Sequence, residues 1–258
     1  MKEKNPLQEL FQEEKETKTY AKIFDSQTIK AINSLASKGI IDMLEFVIST
    51  GKEAHVFRAM DSAGNFRAVK IYKTATSDFK KMNQYLKGDY RFKNVKKEKR
   101  DIVHAWTKKE FKNLERMNKA GTRVPMGLAT KENVLVMEFI GNKEGTAAKT
   151  LKETPAKEVD YNYTYEKIIE FTARNLYLQE LIHADLSEYN ILMHEKEPVI
   201  IDVGQAVLNT HPMAKEFFER DILNIANYFS KKGINTDYEK AIEDVKKWKG
   251  KLLKEKKN

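Results

Sequence analysis

Apolar residues in the first half of the chain occur in short runs that predict β-strands. From Ile40 the runs read IIDMLEFVI, HVFRAM and FRAVKIYK, and turn-forming residues 61–65 separate the last two. This pattern predicts three antiparallel strands, and the last two form a hairpin around the turn at residues 61–65. A helix is predicted over residues 106–117, because it carries apolar residues at helical spacing and Gly121 follows it. Two more strand-like runs, MGLAT and NVLVMEFIG, come next.

The second half changes to the apolar spacing of helices. Helices are predicted over about 146–153, 161–181, 212–230 and 238–253, and two strand-like runs, NILMH and PVIID, lie between the second and third of them. The order of elements predicts an α+β fold with a sheet-rich lobe followed by a helical lobe.

Two segments stand apart from these lobes. Residues 1–25 are polar and predict a solvated helix or loose arm, followed by a short helix with Ser26 as its N-cap and Gly39 just after its end. Residues from about 74 to 105 have weak periodicity and few apolar anchors, which predicts a long flexible insert. The expected division is a helical extension over 1–39, a sheet-rich lobe with the insert over 40–141, and a helical lobe over 142–258.

Composition narrows the possible classes of function. The 258 residues include no cysteine, which excludes disulfide frameworks, zinc ribbons, iron–sulfur clusters and thiolate catalysis. No window approaches the roughly 18 apolar residues of a membrane span, and the first twenty residues are too polar for a signal peptide. We therefore expect a soluble cytoplasmic protein with no membrane partner.

The net charge of +9 is unevenly distributed along the chain. Residues 80–109 contain eleven basic and three acidic residues, residues 246–258 contain seven and one, and the rest of the chain is acidic overall. This segregation favours a polyanionic partner such as RNA, although a run of charge is often only a solvated surface.

Three blocks of sequence carry candidate chemistry. STGKEAHVF lies in the first hairpin, AVK with Lys70 lies in the next strand, and HADLSEYN with Asp185 and Asn190 precedes IDVG with Asp202. This order is typical of protein-kinase-like phosphotransferases. Phosphoryl transfer needs positive charge on the phosphates, ligands for a metal, and a carboxylate that orients the attacking hydroxyl.

Each requirement has a candidate residue. Lys70 would pair with Glu110 on the following helix and hold the α- and β-phosphates of ATP. Asp185 would orient the acceptor hydroxyl. Asn190 and Asp202 would hold Mg²⁺ or Mn²⁺, since both ions prefer hard oxygen ligands.

The remaining candidates depend on position more than on motif. The predicted phosphate loop consists of Ser49, Thr50, Gly51, Lys52 and Glu53. It has neither the Walker A pattern nor the three-glycine pattern, so its backbone N–H groups, its hydroxyls and Lys52 would contact phosphate. The Glu138 carbonyl and the Ile140 amide are candidate adenine contacts at a hinge between the lobes. His183 is interpreted as a packed support of the catalytic loop. Asp221 either anchors that loop or is a surface acid.

These blocks resemble the RIO family of atypical serine protein kinases, and specifically its Rio-one type. STGKEAHVF, LIHADLSEYNIL and IIDVGQAV are similar to the phosphate, catalytic and metal loops of that family, over residues from about 40 to 228. Only 56 residues follow Asp202 and no Ala-Pro-Glu segment occurs among them. Both features fit the two-lobed, kinase-like fold with a truncated helical lobe that the resemblance implies.

The resemblance also implies an activity and partners. It implies ATP-dependent serine phosphorylation, autophosphorylation, ATPase activity and a role in maturation of the small ribosomal subunit. It further implies that Ser187 replaces the lysine of ordinary kinases and that Asp202 can accept the phosphoryl group.

Two other functions stay open at this point. Small-molecule kinases of the aminoglycoside and choline type have similar blocks, but their acidic substrate pockets fit poorly with the basic insert predicted here. A non-catalytic, RNA-bound assembly factor could use ATP only as a conformational switch.

Overall fold

The computed structural model describes residues 24–75, 78–93, 95–96 and 98–255. These residues divide into two compact units. The first contains the described residues up to Asn83, the segment 94–111 and Met126–Ile140, and the second contains Gln84–Lys93, Lys112–Pro125 and the chain from Gly141 onward. None of the helices in the described ranges is long and apolar enough to cross a membrane.

A five-stranded antiparallel sheet forms the first unit. Its order is β1-β2-β3-β5-β4, and the strands are β1 (Met43–Thr50), β2 (Ala54–Met60), β3 (Phe66–Tyr72), β4 (Gly127–Lys131) and β5 (Val134–Glu138). All five strands predicted from the apolar runs are confirmed. The sheet's core includes Phe57, Val69 and Val136, none of which is exposed. Alternate side chains of each strand point to the same face of the sheet, so apolar residues at alternate positions form this core.

Helix α1 (Ser26–Ala36) covers this sheet. Ile32 and Leu35 are 0% and 3% exposed within the same core, and burial of each such side chain contributes about 1.5–3 kcal/mol. The N-cap is Asp25 and not Ser26, since the Asp25 carboxylate accepts from the Thr28 amide at 2.8 Å. The arm predicted for residues 1–25 lies outside the described residues except for its last two.

The segment 74–105 contains helices where the sequence predicted none. Helix α2 (Phe79–Lys87) is followed by a 3₁₀ turn (Tyr90–Phe92) and by helix α3 (Lys99–Lys119), which starts before the predicted residue 106. Met82, Tyr85 and Leu86 of α2 are buried. Their spacing of three and four residues is a helical signal, but the run is short and polar residues, Lys80, Lys81 and Lys87 among them, surround it. The segment therefore contains helices that the sequence did not predict, and its flexibility stays a prediction.

The second unit is mostly helical. Its elements are β6 (Lys149–Thr150), α4 (Tyr161–Gln179), β7 (Leu181–Ile182), β8 (Ile191–His194), β9 (Glu197–Ile200), β10 (Val207–Leu208), α5 (Ala214–Ser230) and α6 (Tyr238–Glu255). Strand β6 pairs with β8, and β8 with β9, while β7 pairs with β10. The helix predicted over 146–153 is absent. The Thr150 hydroxyl and amide bond the Glu153 carboxylate, and such local bonds compete with a helix.

Candidate active site

In the first unit a lysine on the central strand pairs with a glutamate on the long helix. Lys70 lies on β3, and its Nζ is 2.9 Å from Oε1 of Glu110 on α3. Lys70 is 8% exposed and Glu110 is 1% exposed, and the hydroxyl of Tyr72 donates to the other oxygen of Glu110. The predicted contact is therefore present. The pair holds the ammonium in place, because breaking a buried ion pair is strongly destabilising.

The predicted phosphate loop, residues 49–53, consists of the last two residues of β1 and the turn that leads to β2. All of it except Glu53 is exposed. The Gly51 amide donates to the Ala54 carbonyl at 2.9 Å, and the Gly51 carbonyl accepts from Nζ of Lys73 at 2.7 Å. The Gly51 amide is thus committed to the turn. Phosphate contact would depend on the other amides and on the side chains, and this role stays a prediction.

The segment predicted to bind adenine lies at the end of β5. The Glu138 amide donates to the Met126 carbonyl at 2.8 Å, and Oε2 of Glu138 accepts from the Met126 amide at 3.1 Å. These two bonds fix the end of the strand, and Ile140 is 5% exposed beyond it. The adenine contacts at Glu138 and Ile140 stay predictions.

In the second unit, the loop between β7 and β8 brings Asp185 and Asn190 together. Nδ2 of Asn190 donates to the backbone carbonyl of Asp185 at 2.8 Å and lies 3.4 Å from its Oδ2. Nε2 of Gln205 donates to the same Oδ2 at 2.9 Å. Gln205 is 7% exposed, so this donor has little freedom to move. The Asp185 carboxylate is therefore held in one orientation.

Asp202 lies directly beside this loop. Strands β8 and β9 are paired, and the amide of Ile201 donates to the carbonyl of Asn190 at 3.0 Å. Asp202 has φ 58° and ψ 54°, a left-handed conformation that costs a non-glycine residue about 1–3 kcal/mol. Nε2 of His183, which is 4% exposed, lies 3.0 Å from the Ile201 carbonyl. His183 thus ties the two loops together, as its interpretation as a packed support predicts.

Asp221 on α5 anchors the catalytic loop from beneath. Its carboxylate accepts from the amides of Ala184 and Leu186 at 2.7 and 2.8 Å. Ala184 has φ 66°, and its carbonyl accepts from Arg220. Asp221 is 2% exposed, and burial raises its pKa to about 7 although both amide bonds lower it. The choice between anchor and surface acid is therefore decided in favour of the anchor.

Comparison with known proteins identifies the family of this chain. The family model described as the RIO domain matches residues 55–241. The chain belongs to the RIO family. The RIO-type serine/threonine-protein kinase Rio1 of Haloferax volcanii is 44% identical over 223 residues, which cover 86% of this chain and 76% of the relative. Rio1 of Methanocaldococcus jannaschii is 42% identical over 224 residues, covering 86% and 74%.

A solved structure supports the fold of the RIO domain. The Rio2 kinase–ADP/Mg²⁺–phosphoaspartate complex from Chaetomium thermophilum has a TM-score of 0.65 and 23% identity, covering 90% of this chain and 75% of that one. The predicted kinase-like α+β fold is confirmed. As a RIO kinase, the chain is a phosphotransferase of the protein-kinase class, and the small-molecule kinase alternative is set aside.

The residues predicted to hold a metal fit such an ion in this RIO domain. Asn190 uses its amide nitrogen on the Asp185 carbonyl, which turns its Oδ1 the other way. Oxygens of Asn190 and Asp202 are the hard ligands that Mg²⁺ prefers, and this ion commonly takes one or two protein carboxylates while water fills the rest. Among the described residues, no three His, Cys, Asp or Glu side chains gather as a metal cluster. Binding of Mg²⁺ by Asn190 and Asp202 stays a prediction.

Gln205 is the site residue that the sequence analysis missed. It lies in the 3₁₀ turn Val203–Gln205, directly after Asp202, the predicted metal ligand. Its position in IIDVGQAV was visible, but a glutamine carries no charge or metal preference that would have singled it out. Only the folded turn brings its amide to the Asp185 carboxylate.

Proposed function

We propose that this RIO domain is an ATP- and Mg²⁺-dependent serine protein kinase. The observation that carries the proposal is the Asp185 carboxylate, held by Gln205 at 2.9 Å and joined through Asn190 to the loop of Asp202. The buried Lys70–Glu110 pair supports it, since a fixed ammonium can bind phosphate oxygens. The names of the Rio1 relatives support serine or threonine as the acceptor.

In the proposed reaction the residues of the chain position the groups and stabilise charge. Asp185 accepts a hydrogen bond from the serine hydroxyl and takes its proton as the new oxygen–phosphorus bond forms. The bond from the γ-phosphorus to the oxygen of ADP breaks at the same time, and Lys70 stabilises charge on the remaining phosphates. Asn190 and Asp202 would hold Mg²⁺, which supplies further positive charge to the phosphate oxygens.

Replacement of Asp185 by asparagine tests this assignment. We expect Asp185→Asn to lose phosphoryl transfer while its affinity for ATP stays within a few-fold, because the carboxylate contacts the acceptor and not the nucleotide. Transfer of labelled phosphate and ATP binding are measured in parallel. Asp42→Asn, at an exposed position, is the matched control. A large loss of ATP affinity in Asp185→Asn, or retained transfer, contradicts the proposal.

We also propose that Asp202 can accept the phosphoryl group when no serine is present, which would make the enzyme an ATPase. The solved Rio2 kinase–ADP/Mg²⁺–phosphoaspartate complex supports this step. The carboxylate would attack the γ-phosphorus, ADP would leave, and water would hydrolyse the acyl phosphate. We expect hydroxylamine to release labelled phosphate from the wild type. Asp202→Asn should carry no such label. Label that resists hydroxylamine in every condition would leave Asp202 as a metal ligand alone.

The basic residues support a polyanionic partner, which we propose to be the small ribosomal subunit or its RNA, encountered in the cytoplasm. Not all of the charge is available to it. Lys109 is 0% exposed, and Arg91 is bonded to the buried Asp89 carboxylate. Among the described residues of 80–109, the exposed basic ones are Lys80, Lys81, Lys87, Lys93, Lys96, Lys99 and Lys108. They would bind phosphates and release counterions.

Charge substitutions separate this partner from the catalytic function. Lys80→Gln/Lys81→Gln should weaken binding to ribosomal particles and reduce the dependence of affinity on salt, because each phosphate contact adds to that slope. ATP affinity should not change. Particle binding that depends on ATP but is normal in Asp185→Asn would favour the assembly factor that uses ATP only as a switch. Unchanged binding and salt dependence would show that these lysines are only a solvated surface.

A further inference from the structure

A pocket of about 530 Å³ lies in the second unit, at the loop that contains Asp185. One wall is formed by Ser187, Glu188 and Tyr189, which lie between Asp185 and Asn190 in the same loop. The opposite side is the C-terminal part of α5 and the two lysines after it. No role in the reaction has been given to any of these pocket residues except Ser187.

The charge of this pocket is basic. Lys152, Lys231 and Lys232 line it against a single acidic residue, Glu188. All three lysines are exposed. Nζ of Lys152 is 4.0 Å from the Glu188 carboxylate, so even after this weak pair two ammonium groups exceed the acidic charge. An anionic group therefore fits the pocket, and a cationic one does not.

Aromatic rings restrict two of these ammonium groups. Nζ of Lys232 lies 5.4 Å from the centre of the Tyr161 ring and 5.5 Å from that of Tyr228, and Nζ of Lys152 lies 5.7 Å from that of Tyr189. Such cation–π contacts limit the positions of the lysine side chains. The amide side chains of Asn224 and Asn227 also line the pocket and can donate hydrogen bonds to a carboxylate.

We propose that this pocket binds an acidic side chain of the protein substrate, close to the serine that is phosphorylated. The proposal rests on the proposed kinase function for the identity of the acceptor site. Ser187 is two residues from Asp185, and two residues span at most about 7 Å. An extended substrate rises about 3.3 Å per residue. An aspartate or glutamate two to four positions from the acceptor serine can therefore reach the wall of the pocket at Ser187.

The test measures binding of three labelled ten-residue peptides with a central serine, flanked by aspartates, by alanines or by lysines. Fluorescence anisotropy with the full chain gives the affinity in about 0.1 M salt, where charges more than about 10 Å apart are screened. We expect the wild type to bind the aspartate peptide at least tenfold more tightly than the lysine peptide. Lys231→Glu/Lys232→Glu should remove that preference or reverse it. Lys246→Glu/Lys249→Glu changes the net charge equally outside the pocket, and its preference should stay within twofold of wild type.

Several results would overturn the proposal. Equal losses in the two double variants would show a general effect of charge. A wild type that does not distinguish the peptides would remove acidic selectivity. Binding of a ten-nucleotide single-stranded RNA is compared in the same way. If Lys231→Glu/Lys232→Glu weakens RNA binding more than binding of the aspartate peptide, the pocket binds nucleic acid instead.

Phosphorylation of the same peptides distinguishes this proposal from the kinase proposal. The pocket variant should raise KM for the aspartate peptide about tenfold with little change in kcat and in ATP affinity. If no peptide is phosphorylated but binding follows the charge of the pocket, the kinase assignment fails and the pocket assignment stands. If peptides are phosphorylated without regard to acidic flanks or to the two lysines, the kinase assignment stands and the pocket assignment fails.

Discussion

Removal of the Asp221 carboxylate should destabilise the protein and disorder its catalytic loop. The amides of Ala184 and Leu186 donate hydrogen bonds to this carboxylate at 2.7 and 2.8 Å. In Asp221→Ala both amides lose their buried acceptor. Each unsatisfied buried donor costs about 1–3 kcal/mol, so the free energy of unfolding should fall by about 2–6 kcal/mol. This is a large fraction of the roughly 5–15 kcal/mol that stabilises a typical protein. The left-handed conformation of Ala184 would lose its support, and phosphoryl transfer should fall with it.

Urea unfolding of wild type and Asp221→Ala measures the effect, and Glu216→Ala, an exposed acid on the same helix, is the control. The control should stay within about 0.5 kcal/mol of the wild type. A loss below about 1 kcal/mol in Asp221→Ala, with normal transfer, would refute the role of Asp221 as an anchor.

The raised pKa of Asp221 adds a dependence on pH. Burial raises this pKa from 3.8 to about 7, so between these values the unfolded chain is ionised while the folded protein keeps the proton. The contribution of this group to stability is therefore fully present below about pH 4, is lost as the pH rises to about 7, and amounts to about 4 kcal/mol. Asp221→Asn cannot titrate and should lack this change. A difference in stability between wild type and Asp221→Asn that is the same at pH 5 and pH 8 would contradict the raised pKa.

Three further substitutions test the packing and the site. Gln205→Met keeps the size of the side chain but removes the donor to Asp185 at 2.9 Å. We expect kcat to fall about ten- to hundredfold with unchanged ATP affinity. A normal kcat would show that this hydrogen bond does not position the carboxylate. Gly88→Ala would place a methyl group against the ring of His211, which should lower the melting temperature by about 2–10 °C, so an unchanged Tm would refute the close packing. Glu110→Ala removes the carboxylate that pairs with the buried Lys70 and should cost about 3–5 kcal/mol in urea unfolding together with nucleotide affinity; a neutral effect on both would show that the pair is dispensable.

Local sequence patterns were sufficient for the strands but not for every helix. The runs from Ile40 onward predict β1 to β5 because alternating apolar residues have one way to bury a face in a sheet. Helix α2 was missed because its three buried residues form a short run that lysines and other polar residues surround. The predicted helix over 146–153 was wrong because pairing of Lys149–Thr150 with β8 satisfies the backbone there, and that partner strand lies some forty residues later in the chain.

The sequence alone determined the chemistry that this protein can carry. The spacing of Lys70, Asp185, Asn190 and Asp202 indicated a phosphotransferase, because phosphoryl transfer needs those charges and ligands in that order. Only the tertiary structure decided what holds these residues. Asp221 is an anchor because the fold buries it beneath the catalytic loop. Hydrogen bonds and burial of this kind join residues far apart in the chain, so no local pattern of sequence can reveal them.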